Sequence, residues 1–374
     1  MTRILFDPQI FRKQRFGGIS RYFSELIAGI NRHGGYRALP SRFYADNTYL
    51  TAHNLSRFNW IRDSKNFTVK AKVEKLILKE ETQRIQTRLK KGKFEVFHPT
   101  YYNPHFLKYL PKHKPFVLTV HDMIHEAYHD NMYEYLSEET RHKITLIPKA
   151  DHIIAVSQHT KNEILKYFPK VSEGKISVIH HGTSLKVNAV TKKPAGLPDN
   201  YLLFIGIKKH YKNFFWLAKA LKGYLKQNDI ALVCGGGFDF DEFEINFINE
   251  LNLKRYIKHI AINTDEDVVA LFENAACFIF PSLAEGFGIP ILEAFACECP
   301  VILANSSCFP EVAGDAALYF EPGSQEDLIE KISIICQNKT VKAGLVNKGL
   351  DRLKQFSWEN TVAQHLKIYD SLIL

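Results

Sequence analysis

Apolar residues recur along this chain in two rhythms. Short runs of strand length alternate with longer stretches in which apolar side chains return every three or four positions. Residues 4–7 form the first run. After Gly17 and Gly18, the residues Ile19, Tyr22, Phe23, Leu26, Ile27 and Ile30 mark one face of an amphipathic helix. Further runs predict strands over 96–98, 116–122, 152–157 and 176–180, with a helix over 160–167 between the last two. Strands alternating with helices imply a parallel sheet with helices on its faces.

The pattern restarts near residue 200. Residues 187–199 hold Lys192, Lys193, Pro194, Gly196 and Pro198 and little apolar content, so they read as a linker. Strands are then predicted over 201–206, 230–235, 257–262, 277–281, 301–304 and 317–320. Ser357 is a good N-cap, and Val362, Leu366, Tyr369 and Ile373 follow at helical spacing. The expectation is an α/β protein of two Rossmann-like domains, 1–183 and 184–356, with a closing helix over 357–374 that packs back on the first domain. Ligands of such domains bind outside the strand C-termini.

The chain has 374 residues, too many for one ordinary core, and its 45% hydrophobic and 24% charged content suits a soluble globular protein. No run approaches the roughly 20 apolar residues of a membrane span. The N-terminus reads as a strand and not as a signal peptide. Charge is uneven. Residues 1–183 carry 30 Lys+Arg against 17 Asp+Glu, or +13, and residues 184–374 carry 19 against 23, or −4. A basic half is drawn to anionic membranes, nucleic acids or phosphorylated glycolipids. Within it, Val73, Leu76, Ile77, Ile85 and Leu89 form a loose stripe among many lysines and arginines. Because Glu74, Glu80 and Glu81 dilute the basic face, a surface helix packed on its domain is favoured over one lying on a membrane. Cys234, Cys277, Cys297, Cys299, Cys308 and Cys336 read as free, buried thiols of a reducing cytoplasm, since Cys297-Glu298-Cys299 lacks zinc-site spacing.

The stretch most informative about chemistry is 281–294. A buried strand ends at Pro281, a loop with Gly286 and Gly288 follows, and a helix begins around Pro290. Such a loop aims backbone N–H groups and a helix N-terminus at a ligand, which makes an anion site. Glu285 and Glu293 flank it, and two carboxylates there can accept hydrogen bonds from sugar hydroxyls and from a ribose diol.

This stretch resembles the E-x7-E motif of retaining glycosyltransferase family 4, which has the GT-B fold. Further segments resemble the family in order: 16–22 its N-terminal glycine loop, 120–122 its central His-Asp, and 155–161 its V-S-x-x-T turn. So do 206–213 its phosphate-binding stretch, 263–267 the loop before a helix near the base, and 310–317 a P-E-V-A-G-D-A-A run of one subgroup. The resemblance spans nearly the whole chain and is weakest over 40–95. It points toward bacterial mannosyltransferases of O-antigen and capsule assembly.

The resemblance implies roles. Glu285 would bind donor-sugar hydroxyls and His121 would contact the sugar near the reaction centre. Gly286, Phe287, Gly288 and Ile289 would offer the loop's backbone to sugar and phosphates, Glu293 would hold the ribose, and Lys212 with Asn213 would meet the pyrophosphate. Gly17 and Gly18 would let the first loop approach closely. The family often has Arg just before its motif lysine; here Tyr211 stands there, and Lys208 or Lys209 is the substitute. The first domain would take a glycan or lipid-linked acceptor and the second the nucleotide-sugar donor. No metal or other cofactor and no nucleic acid is implied. The expected location is the cytoplasm, with peripheral contact to an anionic membrane left open. A nucleotide-sugar 2-epimerase or phosphorylase-like enzyme, or a non-catalytic sugar-binding protein, stands as the alternative on the same architecture.

Other candidates carry less. Gly235-Gly236-Gly237 lacks dinucleotide spacing and reads as a tight turn. His180 and His181 are adjacent in a strand-like run and point oppositely, so a shared metal is improbable. His98, His105, His113, His125 and His129 are scattered, and Asp122 either orients His121 or caps the next helix.

Overall fold

Each short apolar run becomes a parallel strand because both of its faces are covered. The computed structural model describes residues 1–40, 42–57, 67–128, 137–185, 187, 193–208 and 210–373, and of residues 67–75 and 210 only the backbone. The expectations placed on Lys209, His129, the side chains of Lys70, Lys72, Val73, Glu74 and Lys75, and residues 188–192 of the linker lie outside the described residues. The chain divides into two compact units: Met1–Gly182 with Trp358–Leu374, and Thr183–Ser357. Five helices matter below: α1 (Gly18–Arg32), α2 (Phe67–Lys91), α3 (Phe214–Gln227), α4 (Ile289–Ala296) and α5 (Trp358–Ser371).

The first unit holds β1 (Thr2–Phe6), β2 (Tyr36–Leu39), β3 (Val96–His98), β4 (Val117–Val120), β5 (His152–Ala155) and β6 (Ile176–Val178). They form parallel sheets in the orders β2-β1-β3 and β4-β5-β6, and one parallel bridge, Phe97 to Phe116, links β3 to β4. The short strand β2 was not expected from the sequence. After β1, the buried Asp7 accepts from the Thr100 backbone N–H at 3.0 Å and its hydroxyl at 2.9 Å, tying the C-terminal ends of β1 and β3 together.

The stripe of α1 is buried as its spacing requires: Tyr22, Phe23, Leu26, Ile27 and Ile30 share a core with Trp358, Val362, Leu366 and Tyr369 of α5. Ile373, the last residue of that spacing, is exposed instead. The α1–α5 crossing is close. A Cβ built on Gly29 would stand 2.5 Å from Val362 Cγ2, well inside contact distance. Gly29→Ala should therefore lower stability by about 1–3 kcal/mol through overpacking, despite alanine's better helix propensity. A urea midpoint that stays put or rises in that variant would rule out the tight crossing. On α2, Ile85 and Leu89 pack with Leu5, Phe94 and Phe97, whereas Leu76 is 67% exposed. The stripe thus packs on its domain in the second half of the helix. No described helix is long and apolar enough to cross a membrane.

The second unit is one six-stranded parallel sheet of β7 (Tyr201–Ile205), β8 (Ala231–Gly235), β9 (Ile257–Ile260), β10 (Cys277–Phe280), β11 (Val301–Ala304) and β12 (Leu318–Phe320). Its order is β12-β11-β10-β7-β8-β9. The chain lays down β7, β8 and β9 in one direction, then returns to place β10 on the other side of β7. The reversal puts the topological switch point between β7 and β10, the place at which open α/β sheets bind their ligands. Five cysteines are buried in this unit, and burial raises their thiols. Cys336 departs from the expectation, since it lies on an exposed helix face.

Candidate active site at the β7–β10 switch point

Two loops meet at the switch point of the second unit. Residues 206–213 follow β7 and residues 281–288 follow β10, and the Leu283 N–H donates to the Tyr211 carbonyl at 2.8 Å, binding one loop to the other. Across this junction Lys212 Nζ donates to Glu285 Oε1 at 2.6 Å. Both side chains are largely covered, at 14% and 12% exposure, so their charges are only weakly screened. The ammonium also lies 5.0 Å from the centroid of the Phe280 ring and 5.6 Å from that of Tyr211, whose rings favour a cation. A Cβ built on Gly206 would touch the Lys212 side chain at an ordinary 3.7 Å, so it is the φ of +134° that favours glycine there.

The loop after β10 turns into α4 at Gly288, which adopts φ +83°. A side chain there would be strained by that φ and would press on Ile291 and Phe309 at 3.1 and 3.3 Å. Pro290 occupies the first turn of α4, as its missing N–H allows. Gly286, Phe287, Gly288 and Ile289 thus form the approach to a helix N-terminus, whose dipole favours anions. Phe287 is buried and packs edge-on against Phe356 at 5.8 Å, anchoring the loop from behind. Glu293 is buried on the second turn of α4. Asn213 begins α3 at φ +59°, a conformation asparagine tolerates better than most residues.

Lys208 departs from its expected place. Its ammonium donates to the Phe238 carbonyl at 2.8 Å, lies 3.5 Å from Glu244 and sits over the Phe240 ring. Its charge is committed to the segment after β8 rather than to Glu285. Gly236 and Gly237 take positive φ, and Gly237 passes close to the Gly206 carbonyl, a tight turn as its triplet suggested. Thr264 and Asp267 cap their helix reciprocally, so the carboxylate of Asp267 is engaged by the backbone. Ser282 was missed in the sequence. Its hydroxyl is buried without a partner among the described residues, and its place in the loop two residues after a switch-point strand was the available signal.

In the first unit, Gly17 and Gly18 lead into α1. Gly17 has φ 165°, which is ordinary extended backbone, and a Cβ there would meet only the flexible end of Gln14. The glycine at 17 is therefore not demanded by the local conformation. Helix α1 then presents Tyr22, whose ring meets His121 edge-on at 5.2 Å. His121 follows β4, its backbone N–H donates to the Tyr102 hydroxyl at 3.0 Å, and its Nε2 is buried without a partner among the described residues. Burial pulls its imidazole down to about 3, so the ring is neutral at any physiological pH. Asp122 accepts from the Ile124 N–H at 3.2 Å at the start of the following turn, lies 3.5 Å from Lys143 Nζ, and its charge also acts on His121.

Around His121 lies a buried network that the scattered histidines did not reveal. His181 stacks on His121 at 6.1 Å, with His98 and His365 on the other side of Tyr22 and Phe23. Hydrogen bonds give this network one polarity. His365 Nδ1 faces the Thr361 carbonyl at 2.7 Å and so carries the proton. Its Nε2 must then accept from the Tyr22 hydroxyl at 2.6 Å. Tyr22 in turn accepts from Thr119 at 3.0 Å, Thr119 from His98 Nε2 at 2.9 Å, and His98 Nδ1 from the Tyr369 hydroxyl at 2.7 Å. Among the described residues no group of three or more His, Cys, Asp or Glu is placed to hold a metal ion.

Two parallel α/β units, the second with a charged pair at its switch point, make a two-domain α/β protein, and comparison with known proteins names its class. Residues 16–187 match the model described as Glycosyltransferase Family 4, and residues 188–351 match Glycosyl transferases group 1. The chain belongs to the group 1, family 4 glycosyltransferases, enzymes of the hexosyltransferase class with the GT-B fold. It is 28% identical over 295 residues to O-antigen chain mannosyltransferase B of Escherichia coli, covering 74% of each chain. It is 29% identical over 209 residues to O-antigen chain mannosyltransferase RfbU of Salmonella typhimurium, covering 56% of this chain and 57% of that one. Among solved structures, sucrose-phosphate synthase from Thermosynechococcus elongatus superposes with a TM-score of 0.72 at 18% identity, covering 100% and 99% of the two chains. Anabaena HepE, in complex with UDP and glucose, gives 0.71 at 17% identity over 99% and 100%. At these identities the two structures are likenesses of fold.

Proposed function

We propose that this chain is a retaining hexosyltransferase that takes a nucleotide-sugar, GDP-mannose first, and glycosylates a glycan or lipid-linked saccharide in bacterial surface polysaccharide assembly. The observation that carries the reading is the Lys212–Glu285 pair at the switch point, set before the N-terminus of α4. Without substrate the two charges neutralise each other. A sugar diphosphate offers each a better partner: hydroxyls for the Glu285 carboxylate, phosphate oxygens for the Lys212 ammonium and the loop 286–289. Glu293 takes the ribose. Gly17, Gly18 and His121 act from the first unit, the neutral imidazole of His121 accepting or donating to a sugar hydroxyl through its unpartnered Nε2. As the bond from the anomeric carbon to the β-phosphate oxygen breaks, negative charge gathers on the phosphate, and preplaced cationic groups stabilise it. The acceptor oxygen bonds to the anomeric carbon on the same face, and its proton passes to the departing phosphate. No double-displacement carboxylate is required, and the lysine supplies the charge that a metal supplies elsewhere.

The mannose reading is favoured by the two O-antigen mannosyltransferases among the relatives. A UDP-sugar is the second reading, favoured by the likeness to HepE with UDP bound. The test is a thermal-shift titration with GDP and UDP, followed by incubation of the matching nucleotide-hexose with lipid-linked acceptor in EDTA. A rise in Tm with GDP, lost in Glu293→Ala, and GDP release in EDTA are expected. A shift with UDP alone would reject the mannose donor, and dependence on added magnesium would reject the lysine's role. On this reading the enzyme works in the cytoplasm, in peripheral contact with the inner face of the cytoplasmic membrane where its acceptor is lipid-linked.

A further inference from the structure

Four arginines from three segments of the first unit converge on one small cavity. Phe43 is fully buried, and its backbone N–H donates to Leu55 O at 2.8 Å while Arg57 N–H donates to Phe43 O at 2.8 Å. Alternation along this extended segment turns Arg42 and Tyr44 away from the face that buries Phe43, beside Arg57. Helix α2 adds Arg84 and Arg88, four residues apart and so on one face, next to the buried Ile85 that holds the helix down. Arg42, Tyr44, Arg57, Glu81, Arg84 and Arg88 surround a space of about 60 Å³.

The acids nearby are already engaged. Glu81 accepts from Arg12 at 2.6 Å through one oxygen and from the Tyr44 N–H at 2.8 Å through the other. Arg84 pairs with Glu80 at 2.5 Å. Arg42 and Arg88 have no carboxylate partner among the described residues, and Arg57 acts by charge alone on Glu81, which Arg12 already pairs, so three guanidinium groups face one opening. Their mutual repulsion is felt at Arg88, whose guanidinium is lowered first by burial and then by Arg57, Arg84 and Arg37. An unneutralised set of guanidinium forks suits a multiply charged tetrahedral oxyanion. A carboxylate would leave two of the three charges unmatched. At about 60 Å³ the space is far below the roughly 300–1,000 Å³ of pockets that enclose a drug-sized ligand, so it suits a small anionic group.

We propose that this arginine pocket is a binding site for a phosphate or diphosphate group, on the unit of the chain that does not carry Lys212. The group arrives either free in solution or as the headgroup of a lipid, and both present the same chemistry. The site lies in 40–95, where the likeness to the family is weakest, and its basis is independent of the transfer reading.

The test measures binding and not transfer, so it fails or succeeds separately from the assignment of Lys212 and Glu285. Calorimetry with inorganic pyrophosphate is done on the full chain carrying Lys212→Met, which removes the other cationic partner for a diphosphate. Sedimentation is done with phosphatidylcholine vesicles with and without phosphatidic acid. Arg57→Gln/Arg88→Gln should weaken binding by about tenfold or more, the cost of losing charge-assisted hydrogen bonds. The exposed side chains allow the variant to keep its melting temperature. Pyrophosphate binding that the variant loses assigns a free phosphate. Binding only to phosphatidic acid vesicles, again lost in the variant, assigns a lipid headgroup. Equal binding by variant and parent, or none to either probe, overturns the proposal.

Discussion

Lys212→Met should reduce turnover by about a hundred- to a thousandfold, the usual cost of removing one preplaced partner of a developing oxyanion. The reason is the position of the ammonium. It stands at the switch point, 2.6 Å from Glu285 and largely covered, where its field is poorly screened. If it meets the departing diphosphate, its loss falls on the transition state and hence on kcat more than on KM. A different outcome follows if the pair only staples the two loops. Then Lys212→Met would strand a half-buried carboxylate, lower Tm, and be rescued by adding Glu285→Gln, which restores charge balance. The two roles separate in one experiment: kcat, KM and Tm for the two single variants and the double variant. Turnover within tenfold of the parent in Lys212→Met, or recovery in the double variant, would sink the catalytic assignment. Glu285→Gln alone keeps the size and a hydrogen-bonding carbonyl. Its loss of activity would show that the charge, and not the shape, holds the sugar.

Much of this site was legible because local chemistry announces it. Strands buried on both faces must be continuous apolar runs, so β7, β10 and β11 stood out. A helix that follows a glycine turn with Pro at its start is marked by residue type alone, which is why 286–290 could be read. The ion pair itself was not legible. Lys212 and Glu285 are brought together by strand order, and nothing in either segment shows that β10 will lie beside β7. The partners of Lys208 were illegible for the same reason: its spacing from Lys212 says nothing of Glu244, which reaches it from a helix beyond β8. Strand β2 escaped notice because it is four residues long, at the sheet's edge, with the exposed Arg37 inside it. The histidines were dismissed singly. Residue alternation was applied to His180 and His181 although β6 ends at Val178, and only the sheet order and the return of α5 could show where His181, His98 and His365 would meet.

That convergence has the second large consequence, which is acid sensitivity. The first unit should lose stability steeply as pH falls from about 6.5, the ordinary histidine value, toward 4. His98, His121, His181 and His365 are all buried and neutral. Burial lowers His121 to about 3 and His365 to about 4, and holds His98 and His181 well below the ordinary value. Their folded values are depressed, so the unfolded chain binds more protons at mild acidity. The stability they allow is present above about 6.5 and is lost as pH falls through the gap between unfolded and folded values. Each such group costs up to about 1.4 kcal/mol per pH unit within that gap. Four together approach about 5 kcal/mol per unit, against a total of roughly 5–15 kcal/mol for an ordinary domain. The polarity of the network sharpens the effect. Protonating His365 at Nε2 removes the acceptor that Tyr22 needs, and the disturbance passes to Thr119, His98 and Tyr369. Helix α5 should loosen first, because two of these bonds, Tyr22 to His365 and Tyr369 to His98, fasten it to α1 and β3. Carboxylates do not mimic this, since they begin to protonate nearer pH 4. Thermal melts at half-unit steps between pH 7.5 and 4.5 test it, followed through Trp358, which packs against His181. A melting temperature that stays level from pH 7 to 5 would dispose of the idea. His365→Gln, which can still donate to Thr361 and accept from Tyr22, should flatten the slope by about a quarter, its share as one of four equal titrating groups.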